Sequence, residues 1–114
     1  MKRQFLFLAT VAATLGVMSP SLVYAEDYPM FVLQIKEHRF EPATIELPAH
    51  KKIKLTIKNL DTTAEEFDSD DLHREKVIPA GREGVVYIGP LDPGTYKFKG
   101  EFNPSTAVGS VIVK

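Results

Sequence analysis

The chain has 114 residues, no cysteine and a formal net charge of −1, and 44% of its residues are hydrophobic. A chain of this length forms one small domain, and this one cannot be stabilised by disulfides. The slightly negative charge argues against nucleic acid as a partner, because phosphate binding needs lysine and arginine clustered on a positive face.

The N-terminal segment has the features of an export signal. A basic pair at residues 2–3 precedes an apolar run over residues 5–18, and small residues follow as far as Ala25. The run is shorter than the roughly 20 apolar residues of a membrane-spanning helix, which makes an uncleaved anchor the weaker alternative. We therefore predict a signal peptide at residues 1–25, a single domain at residues 26–114 with a charge of −3, and a periplasmic location.

From Met30 onward apolar residues recur with a period of two, and proline or glycine interrupts the chain too often for long helices. The pattern predicts strands at residues 31–35, 44–47, 52–58, 65–72, 85–88, 95–99 and 108–113. The third strand alternates most clearly, and the fourth is irregular or frayed. About seven short strands joined by proline and glycine turns predict an all-β fold, a Greek-key β-sandwich.

Side-chain alternation also assigns faces to the predicted strands. Phe67, Tyr96 and Phe98 are expected in the core, and Met30 is expected in core or edge packing. Four lysines mark the outer face of the third strand and its approach, namely Lys51, Lys52, Lys54 and Lys58. Such a face is usually solubilising, although it could dock an acidic partner.

Six acidic residues and no basic residue lie between Asp61 and Asp71. Two like charges about 4 Å apart near a protein surface repel by roughly 4 kcal/mol, and a bound cation would relieve that repulsion. Carboxylate oxygens suit iron, manganese, calcium or magnesium better than copper(I). A solvated acidic loop explains the cluster equally well, and the central glycine and late glutamate of an EF-hand are missing.

The order of motifs adds a family resemblance. The succession runs through Phe40-x-Pro42, Asn59, Glu65-x-Phe67, Pro79-x-Gly81, Pro93-Gly94-x-Tyr96-x-Phe98 and Gly109-x-Val111-x-Val113, and it resembles that of the cupredoxins. By that resemblance Glu65 stands at the first histidine ligand, Gly100 at the cysteine and Asn103 at the second histidine. The axial methionine would fall near Ala107 or Val108. The resemblance therefore implies the cupredoxin scaffold without a type 1 blue copper site.

A narrower resemblance rests on the segments Thr63-Ala64-Glu65-Glu66-Phe67 and Gly100-Glu101-Phe102. These segments are similar to the cupredoxin-like periplasmic components of bacterial iron-uptake systems, the FtrB and EfeO type. Such proteins are thought to bind iron or copper ions and to assist iron oxidation before a membrane permease takes the iron. Asn103 departs from the histidine that this group commonly has there.

The sequence therefore predicts a metal site at Glu65, Glu66 and Glu101, with His73 as a further candidate because it follows the acidic cluster. The ion would be iron or copper, and the partners would be a membrane iron permease and a periplasmic iron-binding protein. His38 and His50 are expected not to be ligands, and a homodimer is left open.

Two other functions compete with metal binding in iron uptake. One is a protein-interaction module without metal, and the other is a copper-dependent ferroxidase component. The sequence has no nucleophile motif and no glycine-rich phosphate loop, and a closed-shell carboxylate site supplies no electron acceptor. A binding protein is therefore favoured over an enzyme, with the ferroxidase as the enzymatic alternative.

Overall fold

The structure is a computed structural model that describes residues 28–114, so the predicted signal peptide at residues 1–25 lies outside the described residues. The described chain is all-β, with strands β1 (Met30–Lys36), β2 (Arg39–Glu41), β3 (Thr44–Leu47), β4 (Ile53–Asn59), β5 (Glu65–Ser69), β6 (Arg74–Ile78), β7 (Glu83–Ile88), β8 (Gly94–Gly100) and β9 (Val108–Val113). No segment of residues 28–114 forms a helix of the length and apolarity needed to cross a membrane.

The strands form two sheets packed face to face. Sheet A has four strands in the order β2-β1-β4-β7, and sheet B has five in the order β3-β9-β8-β5-β6. Strand β1 runs parallel to β4 and β3 runs parallel to β9, whereas the other neighbours are antiparallel. This arrangement confirms the predicted all-β sandwich.

The core lies between the sheets and follows the period-two pattern. Alternate residues of each strand point inward, including Leu33, Ile35, Leu55, Ile57, Val111 and Val113. Phe40, Phe67 and Phe98 form an aromatic cluster with ring centroids 5.0 to 6.1 Å apart. Tyr96 is partly buried against this core. The predicted core positions of Phe67, Tyr96 and Phe98 are therefore confirmed.

The structure has nine strands within the described residues, where the sequence predicted about seven. Strand β2 is absent from the predicted strands because it is only three residues long, too short for a period-two pattern. Strand β6 was missed because it lies at the edge of sheet B, where Arg74 to Val77 are exposed and only Ile78 is buried, so its sequence does not alternate. Met30 also differs from the prediction, since it points outward from sheet A and is 61% exposed.

Candidate functional site

Four chain connections meet at one end of the sandwich, which we call the tip; they comprise residues 37–38, 60–64, 79–82 and 101–107. Gly81 N donates to Asp61 O at 3.2 Å, which joins two of these connections, and Glu101 N donates to Glu66 O at 2.8 Å, which ties a third to the start of β5. The two glutamate-bearing turns of the predicted metal site therefore lie side by side at the tip.

The corner after β4 is fixed by side-chain hydrogen bonds. The buried Asn59 amide donates to Thr63 O at 2.9 Å and to Ile78 O at 3.0 Å. The Asp61 carboxylate accepts from Glu37 N at 2.7 Å and from His38 N at 2.9 Å. Both turn residues have positive φ angles, so the carboxylate caps a tight turn between β1 and β2. These contacts set where β5 begins and hence where Glu65 points.

Glu65 points into the tip and is only 1% exposed. Its Oε1 atom accepts hydrogen bonds from Glu66 N at 2.9 Å and from Phe102 N at 2.8 Å. Its Oε2 atom accepts from Asn103 Nδ2 at 2.8 Å. A carboxylate can accept about four hydrogen bonds, so three protein donors use most of its capacity. We call this arrangement the Glu65 clamp, because it ties the start of β5 to the loop after β8.

Gly100 makes room for the Glu65 clamp. A Cβ atom at this position would lie 2.6 Å from Glu65 Cδ, 2.8 Å from Glu65 Oε2 and 2.7 Å from the Cβ of buried Ala107. Gly100 N also donates to Ala107 O at 2.8 Å, which holds the loop against the carboxylate. The buried carboxylate thus occupies the space that a side chain at position 100 would need.

Glu66 and Glu101 lie on the other side of the sheet, on its outer face. Partial burial, together with the charges of Glu75, Asp68 and Glu101, raises the pKa of Glu66. Partial burial and a hydrogen bond with Glu101 raise the pKa of Asp68, and the charge of Glu75 acts in the same direction. Glu101 Oε2 also lies 3.3 Å from Lys99 Nζ. We call Glu66, Asp68, Glu75 and Glu101 the acidic row.

The four predicted ligands are therefore divided among three places. Glu65 is in the clamp, Glu66 and Glu101 are in the acidic row, and His73 is in the turn beyond the far end of β5. Within residues 28–114 no group of three or more histidine, aspartate or glutamate side chains has a geometry suited to hold a metal ion. The metal site stays a prediction, and its donors would be those of the acidic row.

The sequence reading missed three contributors at this end of the molecule. Asp68 was assigned to the acidic loop but not to the site, and Glu75 lies on the unpredicted edge strand β6, directly across from it. Asn103 shapes a turn through its backbone oxygen, and its side-chain amide also donates to Glu65. Glu65 and Phe67 are two residues apart, so they share one face of the strand. That spacing from a core phenylalanine was the one available signal that Glu65 points inward.

Comparison with known proteins gives a family and a fold. A family model described as a cupredoxin-like domain matches residues 5–113. An uncharacterized protein of Rickettsia prowazekii (strain Madrid E) is 44% identical over 81 residues, which is 71% of this chain. The match spans 65% of the length of that relative.

Several solved structures share the fold at low sequence identity. The metal-binding domain of the Cu(I)-exporting P-type ATPase CopA of Streptococcus pneumoniae D39 has a TM-score of 0.65 and 18% identity, covering 80% of this chain and 91% of that chain. Auracyanin A, a blue copper protein of Chloroflexus aurantiacus, has a TM-score of 0.67 and 11% identity, covering 75% and 98%. A purple cupredoxin from Nitrosopumilus maritimus has a TM-score of 0.57 and 19% identity, covering 73% and 98%.

The residues at the tip do not fit copper held in the manner of a cupredoxin. The chain has no cysteine, Gly100 offers no side chain, and Glu65 already accepts three hydrogen bonds. Within residues 28–114 no buried side-chain nitrogen or oxygen lacks a hydrogen-bond partner, so no unused donor points into the tip. A blue copper centre needs a thiolate and two imidazoles, and none of the three is present at these positions.

Proposed function

Because this chain belongs to the cupredoxin-like domain family, we propose that it is a periplasmic protein-binding module in which the Glu65 clamp stands where cupredoxins hold copper. The single observation that carries this proposal is the buried Glu65 carboxylate with its three protein hydrogen bonds. The carboxylate links β5 to the β8–β9 loop, so the tip is cross-linked without a metal.

The clamp is expected to hold the tip rigidly. A hydrogen bond to a charged group contributes roughly 1.5–3 kcal/mol, and two of the three bonds join segments more than 35 residues apart in sequence. A metal ion entering this position would have to displace these donors, and the displaced N–H groups would lose their partner. A scaffold of this kind has no electron carrier at its tip, so its function would rest on surface binding.

Copper titration of the purified signal-free protein tests this proposal. We expect no intense thiolate-to-copper absorption and no copper signal in electron paramagnetic resonance that depends on Glu65. The comparison uses Glu65→Gln, which removes the clamp charge, and Glu66→Gln, which changes the neighbouring exposed carboxyl. Stoichiometric copper binding that Glu65→Gln abolishes and Glu66→Gln leaves intact would show that the clamp opens to a metal, and the proposal would then fail.

A second candidate function is the delivery of iron to a membrane permease, as the resemblance to iron-uptake proteins implies. The observation that favours it is the acidic row, where partial burial and neighbouring carboxyls together raise the pKa values of Glu66 and Asp68. A hard cation placed among these carboxyls would relieve their mutual repulsion. For this second function, a partner protein would supply the metal ligands that the acidic row lacks.

Calorimetric titration with ferrous, ferric, manganous and cupric ions tests the second candidate. If the acidic row binds iron, Glu66→Gln combined with Glu101→Gln should weaken binding, while Glu46→Gln on the edge strand β3 should not. Unchanged affinity in the double variant would exclude these carboxyls. Oxygen consumption with ferrous iron, measured with and without copper, tests the ferroxidase alternative, for which the protein-binding proposal predicts no added rate.

A further inference from the structure

The outer face of sheet A carries apolar side chains on β1 and β7, on either side of the central strand β4. Cross-strand register places Met30, Lys54 and Tyr87 in one row and Val32, Thr56 and Val85 in the next. Met30 is 61% exposed, Tyr87 is 42% exposed and Val32 is 40% exposed. Neighbouring strands thus present an apolar strip across the sheet, and we call these six residues, together with Lys58, the A face.

Thr56 shows that the strip is continuous. Its side chain points outward from the central strand β4, yet only 8% of the residue is exposed. Val32 and Val85 are its neighbours on the two adjacent strands and cover it. An outward threonine so well covered means that the valines form a closed apolar layer above the sheet, rather than isolated surface residues.

An aromatic pair extends the A face at one end. The rings of Tyr28 and Tyr87 pack edge to face with centroids 5.9 Å apart. Lys52 Nζ lies over both rings, 5.2 Å from the Tyr28 centroid and 5.5 Å from the Tyr87 centroid. The ammonium group is therefore held beside the apolar strip by cation–π contacts.

The lysines around the A face are available for a partner. None of the ion pairs within residues 28–114 uses Lys52, Lys54 or Lys58. Glu83 lies opposite Lys58 in the register, so the positive potential is strongest toward Lys52 and Lys54. A face on which lysines lie between and beside apolar side chains is complementary to a surface that combines carboxylates with apolar side chains.

We propose that the A face is a docking surface for a partner protein whose contact surface combines carboxylates with apolar side chains. This inference rests on the proposed function, since it names the face and the chemistry of the partner for the protein-binding module. The burial of the valine strip would supply affinity, and Lys52 and Lys54 would steer the approach and set the orientation. Salt should therefore slow association more than it speeds dissociation.

The geometry favours a protein over the alternatives. A membrane surface favours side chains that protrude into the lipid, whereas Val32 and Tyr87 lie within a sheet face and are more than half covered. A second copy meeting the A face symmetrically would bring lysines against lysines. A second copy presenting its acidic row instead would make a head-to-tail interface, which builds rings or filaments rather than a symmetric dimer.

Site-specific photo-crosslinking in the cells that express the full chain tests this inference. A benzophenone side chain is placed in turn at Val32 on the A face, at Val108 on the outer face of sheet B and at Phe102 at the tip. We expect a crosslinked protein from Val32 only. The purified partner should then bind the wild-type protein, and Lys52→Glu combined with Lys54→Glu should weaken that binding by about tenfold or more. Lys97→Glu on sheet B is the matched control and should have little effect.

Several results would overturn the inference, and they fall into separate classes. A Val32 adduct with this chain itself would show that a second copy, not a partner protein, occupies the A face. Binding to vesicles of phosphatidylglycerol and phosphatidylethanolamine that the double charge reversal abolishes would show that a membrane occupies it. Crosslinks from Val108 or Phe102 alone would refute the A face and leave the protein-binding function standing. An absence of crosslinks from all three positions would refute both.

Discussion

Replacing Asn103 by aspartate tests the Glu65 clamp most directly, because the change is nearly isosteric. The amide that now donates to Glu65 Oε2 at 2.8 Å becomes a second carboxylate. Two unit charges about 4 Å apart repel by roughly 4 kcal/mol at an effective dielectric constant of about 20, and a charge-assisted hydrogen bond of roughly 1.5–3 kcal/mol is lost. Water reaches the half-buried Asn103, so we expect Asn103→Asp to cost about 3–5 kcal/mol at neutral pH.

The pH dependence gives this prediction its specificity. One proton shared between the two carboxyls removes the repulsion, so the folded variant binds protons more tightly than the unfolded chain does. Its deficit relative to wild type should shrink as pH falls from neutral to about 4, the ordinary pKa of an unfolded carboxyl, because about 3–5 kcal/mol corresponds to roughly two to four pH units. Urea unfolding from acidic to neutral pH measures this, with Asn103→Ala as the control that loses the hydrogen bond without adding charge. If Asn103→Asp and Asn103→Ala were equally stable at every pH, Glu65 could not be facing residue 103.

Two further predictions concern the neighbours of the clamp. Gly100→Ala should destabilise the fold by about 1–3 kcal/mol through overpacking against Glu65, and by less in a Glu65→Ala background. Urea unfolding of the single and double variants measures the coupling between the two positions. Additive costs would contradict the contact. Glu66→Gln and Asp68→Asn should each raise the Tm at neutral pH. A carboxyl whose pKa is raised by folding favours the folded state below its unfolded pKa and loses that effect as pH rises through its folded value. Both gains should therefore vanish below about pH 4, and a gain that persisted there would point to another cause.

The sequence predicts a strand where buried and exposed residues alternate, and it fails to predict a strand where they do not. In β4, Ile53, Leu55 and Ile57 are buried while Lys54 and Lys58 face outward, so hydrophobicity alone marks both the strand and its inner face. An edge strand such as β6 is held by its hydrogen bonds to β5, and those bonds leave no trace in the pattern of apolar residues. The β5–β6 pair is a hairpin closed by the turn at residues 70–73, and the exposed side chains of β6 give that hairpin no apolar pattern.

The candidate site shows a different limit of sequence reasoning. Acidic residues were grouped by their proximity along the chain, but Glu65 and its neighbour Glu66 point to opposite faces of the same strand. Glu75 joined the acidic row only because β6 folds back beside β5. The family resemblance implied that Glu65, Gly100 and Asn103 stand at ligand positions. The folded structure shows that Gly100 and Asn103 both lie against Glu65.

The Glu65 clamp and the predicted metal site both require the lone pairs of the Glu65 carboxylate. In the sequence, a glutamate at a vacated ligand corner indicates a donor for a hard cation. In the folded protein those lone pairs accept hydrogen bonds from Phe102 N, Glu66 N and the Asn103 amide. A cation bound to the carboxylate would leave these N–H groups without an acceptor. A buried carboxylate is stable only when its lone pairs are satisfied, and N–H groups satisfy them at every metal concentration. The Glu65 carboxylate, in the space that Gly100 leaves free, therefore cross-links the tip through protein hydrogen bonds alone.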